Sequence, residues 1–256
     1  MHAQLNIALR AAREGAVSLA RHFDRLDRVK EITGKDQRTI TSADLDVETI
    51  VLDQLRKTFP KHRYLSAASE LEDQHDAETV WLLNPLIGTR NFLRGTPGFF
   101  LSIACQTNGQ VNIAALIDPL LNEEFTAVRG RGASLNGHRI RVSNRVDLPD
   151  CIVGVEFTAN EAGDNEACNF QRQLIAEGAS PRTSGNGILD LLYTASARLD
   201  GGFISKPEPV GLSAAALILQ EAGGLLSDTK GNPALSGDRL VFGNPKCFKQ
   251  LLKLAD

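Results

Sequence analysis

Cysteine is scarce in this sequence, and its arrangement argues against a disulfide framework and a zinc site. The chain of 256 residues contains four cysteines, which are Cys105, Cys151, Cys168 and Cys247. None of them belongs to a CxxC pair, and no histidine stands near one at the spacing of zinc ligands. The pattern predicts reduced, mostly buried thiols in a cytoplasmic protein.

Long apolar runs and a strong net charge are also missing. No run approaches the roughly 18 apolar residues that span a bilayer. The net charge of −3 and the pI near 6.0 differ from the basic character of nucleic-acid binders. The N-terminal segment lacks the order of a signal peptide, and its apolar spacing from Leu5 to Phe23 predicts an amphipathic helix. We therefore expect a cytoplasmic protein with no membrane insertion and no direct nucleic-acid binding.

The rest of the chain mixes helical and strand patterns. A helix is expected from Thr41 or Ser42 to Pro60, and a hairpin joins Phe99–Gln106 to Val111–Asp118 through a Thr-Asn-Gly-Gln turn. The remaining predicted elements are the strands Glu124–Arg129, Cys151–Phe157 and Gly201–Ile204, and the helices Glu166–Glu177, Ile188–Leu199 and Ser213–Ala222. Gly223-Gly224 is expected to cap the last helix.

Helices that alternate with hairpins indicate a layered α+β or α/β fold. The segment from Val146 to Pro149 resembles a junction. We therefore expect one unit, 1–256, that divides into an N-terminal α+β subdomain, 1–148, and a C-terminal α/β subdomain, 149–256.

The segment Asn84–Phe92, NPLIGTRNF, lacks acidic residues at a place where they would matter. It follows the apolar run Thr79–Leu83 and forms a Pro/Gly turn of the kind that could hold a phosphate. Metal-assisted phosphoester hydrolysis uses two divalent ions about 4 Å apart, held mainly by carboxylates. This turn contains no carboxylate.

Four motifs follow one another along the chain. They are TITSAD at 39–44 with FPKH at 59–62, WLLNPLIGTRNF at 81–92, DP at 118–119 with RGRGASLNG at 129–137, and VGLSAA at 210–215 running to EAGG at 221–224. Together these motifs resemble the inositol monophosphatase family, in particular its bacterial extragenic-suppressor (SuhB-type) branch. The resemblance covers nearly the whole chain.

The resemblance also shows departures at the metal site. The family's Gly-Glu-Glu-Ser, Asp-Pro-Leu-Asp-Gly-Thr and Trp-Asp stand here as SAAS at 66–69, NPLIGT at 84–89 and VG at 210–211. The positions of the family's metal-binding carboxylates are thus held by neutral residues, namely Ala68, Asn84, Ile87 and Gly211. The interval from Ala68 to Asn84 keeps the family spacing, so Glu70 could replace Ala68 only after a register shift. We therefore expect no metal cofactor.

Some positions of the family site are retained. The supporting catalytic positions carried over by the resemblance are Lys35, Asp44 and Thr89. The substrate pocket corresponds to Leu86, Ile87, Gly88, Thr89, Gly185, Asn186, Gly187 and Ile204. Ile204 stands where the family has a glutamate that contacts substrate hydroxyls, and Glu208 stands where it has an arginine.

The resemblance implies an α-β-α-β-α sandwich and a homodimer. Its leading functional implication is a non-catalytic pseudophosphatase that acts through binding, in transcription antitermination with the elongation factor NusA and RNA polymerase. One alternative is a weak or altered phosphatase that uses Mg2+ on inositol 1-phosphate or another small phosphomonoester. Another is a metal-free sensor of sugar phosphates.

Overall fold

The computed structural model describes residues 3–34, 38–69, 78–157, 165–233 and 237–255. The chain forms two units, Met1–Arg129 and Gly130–Asp256. The glycine-rich connection that begins at Gly130 therefore belongs to the second unit. The subdomains expected at 1–148 and 149–256 stay a prediction.

The first unit packs helices on a largely antiparallel sheet. Its described helices are α1 (Ala3–Phe23), α2 (Ser42–Thr58) and α3 (Thr89–Leu93), and its strands are β1 (Glu31–Thr33), β2 (Thr39–Thr41), β3 (Arg63–Ser66), β4 (Thr79–Ile87), β5 (Phe100–Thr107), β6 (Gln110–Asp118) and β7 (Glu123–Val128). The strands β3-β4-β5-β6-β7 are neighbours in this order, and only the β3–β4 pair is parallel. Leu5, Leu19, Val47 and Leu55 of α1 and α2 join Trp81 and Leu101 of the sheet in one apolar core.

The second unit has a mixed sheet and a separate hairpin. Its described strands are β8 (Gly132–Leu135), β9 (His138–Ile140), β10 (Ile152–Val155), β11 (Ser180–Arg182), β12 (Gly201–Ser205), β13 (Leu225–Asp228) and β14 (Arg239–Gly243), and its helices are α4 (Asn165–Ala176), α5 (Gly187–Ala195), α6 (Pro209–Glu221) and α7 (Pro245–Ala255). β8 pairs with β9, and the other five strands follow the order β11-β10-β12-β14-β13.

Helices cover both faces of this mixed sheet. Phe203 of β12 packs on Phe170 of α4, with ring centroids 5.1 Å apart, in a core that also contains Leu251 of α7. The next residue, Ile204, lies beside Gly187 at the start of α5. Successive strand residues point to opposite faces, so α4 and α7 lie on one face of the sheet and α5 lies on the other.

Most predicted elements are present with small shifts at their ends. The first predicted helix is α1, the predicted hairpin is β5–β6, and Thr41 is the N-cap of α2. The predicted glycine cap closes α6, where the N–H of Gly224 donates to the carbonyl of Leu219 at 2.9 Å. Within the described ranges, no helix is both long and apolar enough to cross a membrane.

Candidate functional site

The parallel strands β3 and β4 bring two of the expected metal-site positions together in the first unit. Ser66 is the register partner of Leu83, and the N–H of Ala67 donates to the carbonyl of Leu83 at 2.9 Å. Ala68 lies two residues after the end of β3, Asn84 lies in the last part of the adjacent strand β4, and both are buried. Continued by one residue, this register sets Ala67 opposite Asn84, and Ala68 follows directly after that pair.

The turn after Leu83 is an irregular strand end packed with apolar side chains. The β4–β5 register shifts between Asn84 and Ile87, and Leu86 and Ile87 are both buried. The side-chain oxygen of Asn84 accepts from the N–H of Leu86 at 3.3 Å. The side-chain oxygen of Asn84 thus helps to hold the turn.

Asp44 lies in the capping box at the start of α2. Its carboxylate accepts from the N–H of Thr41 at 2.8 Å and from the Thr41 hydroxyl at 2.7 Å. The Asp44 N–H donates to the Thr41 hydroxyl oxygen at 3.3 Å, which completes the reciprocal box. Burial raises the pKa of Asp44 to about 6, and the bonds from Thr41 partly offset that rise.

Two further charged groups, which the sequence analysis did not single out, lie near this end of α2. Glu48 is buried one turn after Asp44 and accepts from the Ser69 hydroxyl at 2.7 Å. The guanidinium of Arg38 donates to the carbonyl of Ala67, and its charge lowers the pKa of Asp44. The spacing of Asp44 and Glu48 on one helix face is visible in the sequence. The contact of Arg38 with Ala67 joins residues 29 positions apart, and no local sequence pattern predicts it.

Of the remaining expected positions of the first unit, Gly88 and Thr89 are described by the structure. Gly88 is the N-cap of α3, with φ of 86°, and the Thr89 hydroxyl lies 3.5 Å from the carbonyl oxygen of Leu86. Lys35 lies outside the described residues, and so does Glu70. The structure therefore does not test their expected roles.

One predicted pocket position of the second unit, Gly187, lies against a carboxylate that the sequence analysis missed, Glu156. Asn186 is the N-cap of α5, and its side-chain oxygen accepts from the N–H of Ile188 at 3.1 Å. A Cβ atom on Gly187 would lie 2.5 Å from Oε2 of Glu156 and 2.6 Å from Cγ1 of Ile204. Glycine at position 187 therefore leaves room for Glu156 and Ile204 at the start of α5.

Glu156 has an acidic neighbour. The pKa of Glu156 is raised to about 7, mainly by burial; the hydrogen bond from the Gly187 N–H lowers it, and the charge of Asp190 contributes to the rise. Burial also raises the pKa of Asp190 to about 7, against the lowering effects of the Ser184 hydroxyl and Arg182. Oδ2 of Asp190 is buried without a hydrogen-bond partner among the described residues.

Gly211, the last of the four neutral positions, lies in the first turn of α6. The Glu208 carboxylate caps this helix and accepts from the N–H groups of Val210 and Gly211 at 2.9 and 2.7 Å. The acidic side chain at the family's arginine position is therefore used to start the helix. Gly211 itself brings no side-chain ligand.

The described side chains at the expected metal positions of the first unit do not provide the oxygen ligands that a pair of Mg2+ ions needs. Mg2+ prefers carboxylate oxygens in near-octahedral geometry, whereas Ala68 and Ile87 are apolar and Asn84 is bonded within its own turn. The Asp44 carboxylate is engaged by Thr41. Searched over its described ranges, the chain has no group of three or more His, Cys, Asp or Glu side chains able to hold a metal ion.

Comparison with known proteins assigns the chain to a family. The model of the inositol monophosphatase family matches residues 2–255. The Nus factor SuhB of Pseudomonas aeruginosa is 39% identical, over 98% of this chain and 95% of that protein. The Nus factor SuhB of Escherichia coli K12 is 37% identical with the same coverage. The chain belongs to the inositol monophosphatase family.

Solved structures agree with this assignment. The extragenic suppressor protein SuhB of Bartonella henselae superposes with a TM-score of 0.94 at 30% identity, covering 100% of this chain and 99% of that chain. An IMPase of Thermotoga maritima superposes with a TM-score of 0.89 at 27% identity, covering 99% and 97%. These likenesses confirm the predicted layered fold of mixed sheets and helices, and the relatives confirm the predicted similarity to SuhB.

Proposed function

We propose that this protein is a non-catalytic member of its family and acts by binding a partner in the transcription machinery. The observation that carries the proposal is the composition of the irregular end of β4, Asn84–Ile87, together with Ala68 after β3. Three positions that the resemblance assigns to metal-binding carboxylates, Ala68, Asn84 and Ile87, together offer one neutral oxygen. Gly211 adds none.

Electrostatics explains why this composition supports the proposal. Two divalent ions about 4 Å apart repel each other by roughly 15 kcal/mol at an effective dielectric constant of about 20. Active sites offset such repulsion with several carboxylates. Here Asp44 alone is retained from the family's acidic positions, and its oxygen Oδ2 accepts both hydrogen bonds from Thr41.

The proposed partner comes from the relatives. Two proteins that align with nearly the whole chain are named Nus factors, at 39% and 37% identity. We infer transcription antitermination, with the elongation factor NusA and RNA polymerase as partners. A cytoplasmic homodimer is part of the same proposal, and sedimentation equilibrium of the purified protein would measure its oligomeric state.

A phosphatase assay tests the non-catalytic part. We expect no release of phosphate from myo-inositol 1-phosphate that depends on Mg2+ or exceeds the background of an Asp44→Asn variant. The introduced amide oxygen could still accept from Thr41, which makes this variant a control that retains the fold. Turnover that needs Mg2+ and disappears in Asp44→Asn would favour the enzyme alternative.

A pull-down tests the binding part. Purified NusA and RNA polymerase are mixed with the tagged protein, and we expect at least one of them to be retained at physiological salt. Asp44→Asn should bind equally well, since Asp44 is buried and its side chain is bonded to Thr41. Failure of both partners to bind would remove the proposed role, and a thermal shift with inositol 1-phosphate in the absence of Mg2+ would then favour the sensor.

A further inference from the structure

Two cysteines that are far apart in the sequence meet in the second unit. Cys151 and Cys247 are separated by 96 positions, yet their Sγ atoms lie 2.9 Å apart. This distance is only about 0.9 Å longer than the S–S bond length of about 2.05 Å. Both cysteines are free and buried in the apolar core beside Phe170 and Leu251.

Hydrogen bonds hold each cysteine in place. The N–H of Cys151, just before β10, donates to the carbonyl of Leu148 at 2.9 Å. Its thiol lies 3.3 Å from the carbonyl oxygen of Asp147. The N–H of Cys247, in the first turn of α7, donates to the side-chain oxygen of Asn244 at 3.0 Å. The two thiols are thus positioned by a strand start and a helix start, not by flexible loops.

We propose that Cys151 and Cys247 are a thiol pair that hydrogen peroxide converts to an intramolecular disulfide bond. The proposal concerns a modification site distinct from the turn at Asn84–Ile87. Within the described parts of the chain, the pair belongs to no group of three or more potential metal ligands. Metal binding therefore offers no competing account of the two adjacent thiols.

The environments of the two sulfurs assign their roles. The hydrogen bond between the thiols lowers the pKa of Cys247 and raises the pKa of Cys151. A helix N-terminus also favours a thiolate, and Cys247 lies in the first turn of α7. Cys247 is therefore the nucleophile, and Cys151 is the resolving thiol.

The reaction then balances in two steps. The Cys247 thiolate attacks one oxygen of hydrogen peroxide, the O–O bond breaks, and the leaving hydroxide takes up a proton as water. The Cys151 sulfur attacks the resulting sulfenic acid, the S–S bond forms, and the sulfenic oxygen leaves as a second water. In total two thiols are oxidised and one peroxide is reduced.

The remaining cysteines provide internal controls. Cys105 is buried in the first unit, and burial raises its pKa to about 12, so it should react slowly. Cys168 is exposed on α4 and could form links between molecules. The experiment is therefore done in a Cys168→Ser background, which leaves the buried pair unchanged.

The test counts free thiols in the native protein. The Cys168→Ser protein is incubated with hydrogen peroxide, quenched with catalase, unfolded, alkylated with N-ethylmaleimide and weighed by mass spectrometry. We expect the labels to fall from three to one, a mass lower by two hydrogens before alkylation, and full recovery after dithiothreitol. Peptide mapping should show Cys151 linked to Cys247.

Matched variants separate this pair from other oxidation. Cys105→Ala should still lose both pair labels, whereas Cys151→Ala or Cys247→Ala should form no intramolecular link. The oxidised protein should also melt at a higher temperature, because the bond closes a long loop of the unfolded chain. Retention of all three labels after peroxide treatment of the folded protein, or a link through Cys105, would overturn the proposal.

Discussion

In the first unit, Asp44 and Glu48 lie one helical turn apart on α2, and each carboxylate accepts a bond from a hydroxyl, of Thr41 or of Ser69. In the second unit, Glu156 and Asp190 come together from β10's end and α5, and one Asp190 oxygen has no partner among the described residues. Burial raises the pKa of Asp44 to about 6 and those of Glu156 and Asp190 to about 7.

The two pairs of carboxyl groups differ in the number of hydrogen-bond donors that stabilise their charged form. A carboxylate fixed by local hydrogen bonds can remain charged in a largely buried position, since such bonds favour the charged form. Two neighbouring carboxylates with few donors instead retain protons near neutral pH. The first arrangement supports a helix start and raises the pKa of Asp44 to about 6, whereas the second raises the pKa of both its carboxyl groups to about 7.

The largest expected effect comes from adding a carboxylate to the first unit without a partner. Ile87 is buried, so Ile87→Asp should lower the free energy of unfolding by roughly 3 kcal/mol or more at pH 7. Ile87→Val is the matched control and should cost about 1 kcal/mol. Urea unfolding with and without Mg2+ measures both variants, and rescue of Ile87→Asp by Mg2+ would show that the turn can still bind the ion.

The second prediction concerns a double variant that removes the carboxyl groups of Glu156 and Asp190 in the second unit. Raised carboxyl pKa values mean that the folded state binds more protons than the unfolded state between about pH 4 and pH 7. Stability should therefore fall as pH rises through this window and level off above it. The double variant Glu156→Gln with Asp190→Asn should flatten the profile and gain on the order of 2–4 kcal/mol at pH 8.

Chemical unfolding at several pH values measures this profile. The exposed Glu177→Gln in the same unit is the control and should follow the parent curve. A double variant that unfolds more easily than the parent at pH 8 would mean that the pair is ionised and held by groups outside the described residues.

A smaller effect on stability is expected when Asp44 loses the hydrogen bond from the Thr41 hydroxyl. Thr41→Val keeps the side-chain shape but removes the bond to Asp44, which should cost about 1–2 kcal/mol and raise the pKa of Asp44 further. Thr49→Val, which removes an exposed hydroxyl from the same helix, is the control. Thermal melts at pH 8 and a carboxyl titration by NMR would check both parts, and equal melting of the two variants would contradict the capping role.

The smallest expected effect on stability comes from removing the guanidinium group of Arg38. Arg38 is exposed, so Arg38→Met should change stability by less than about 1 kcal/mol. It should nevertheless raise the pKa of Asp44, because the guanidinium charge favours the ionised form. NMR titration of Asp44 measures the shift, with Arg21→Met on α1 as the control; an unchanged Asp44 pKa would exclude the electrostatic link.

The candidate site of the first unit was largely predictable because its contacts are local or lie on paired strands. Thr41 and Asp44 are three residues apart, which is the spacing of a capping box, and the sequence pattern predicts both the helix start and the acid. The strand β3 that precedes Ala68 was not predicted, and its parallel pairing with β4 is seen only in the structure. Arg38 was missed because a contact from an exposed side chain to a distant carbonyl leaves no periodic signal.

The sequence alone predicted five of the helices and the β5–β6 hairpin, but not β3 or α7, since the spacing of apolar residues, glycine caps and turn residues act over a few positions. It also determined that Ala68, Asn84, Ile87 and Gly211 carry no acid. Only the tertiary structure decided that Glu156 meets Asp190 and that Cys151 meets Cys247 at 2.9 Å. Such meetings depend on strand order and helix packing, which bring together residues that no local pattern relates.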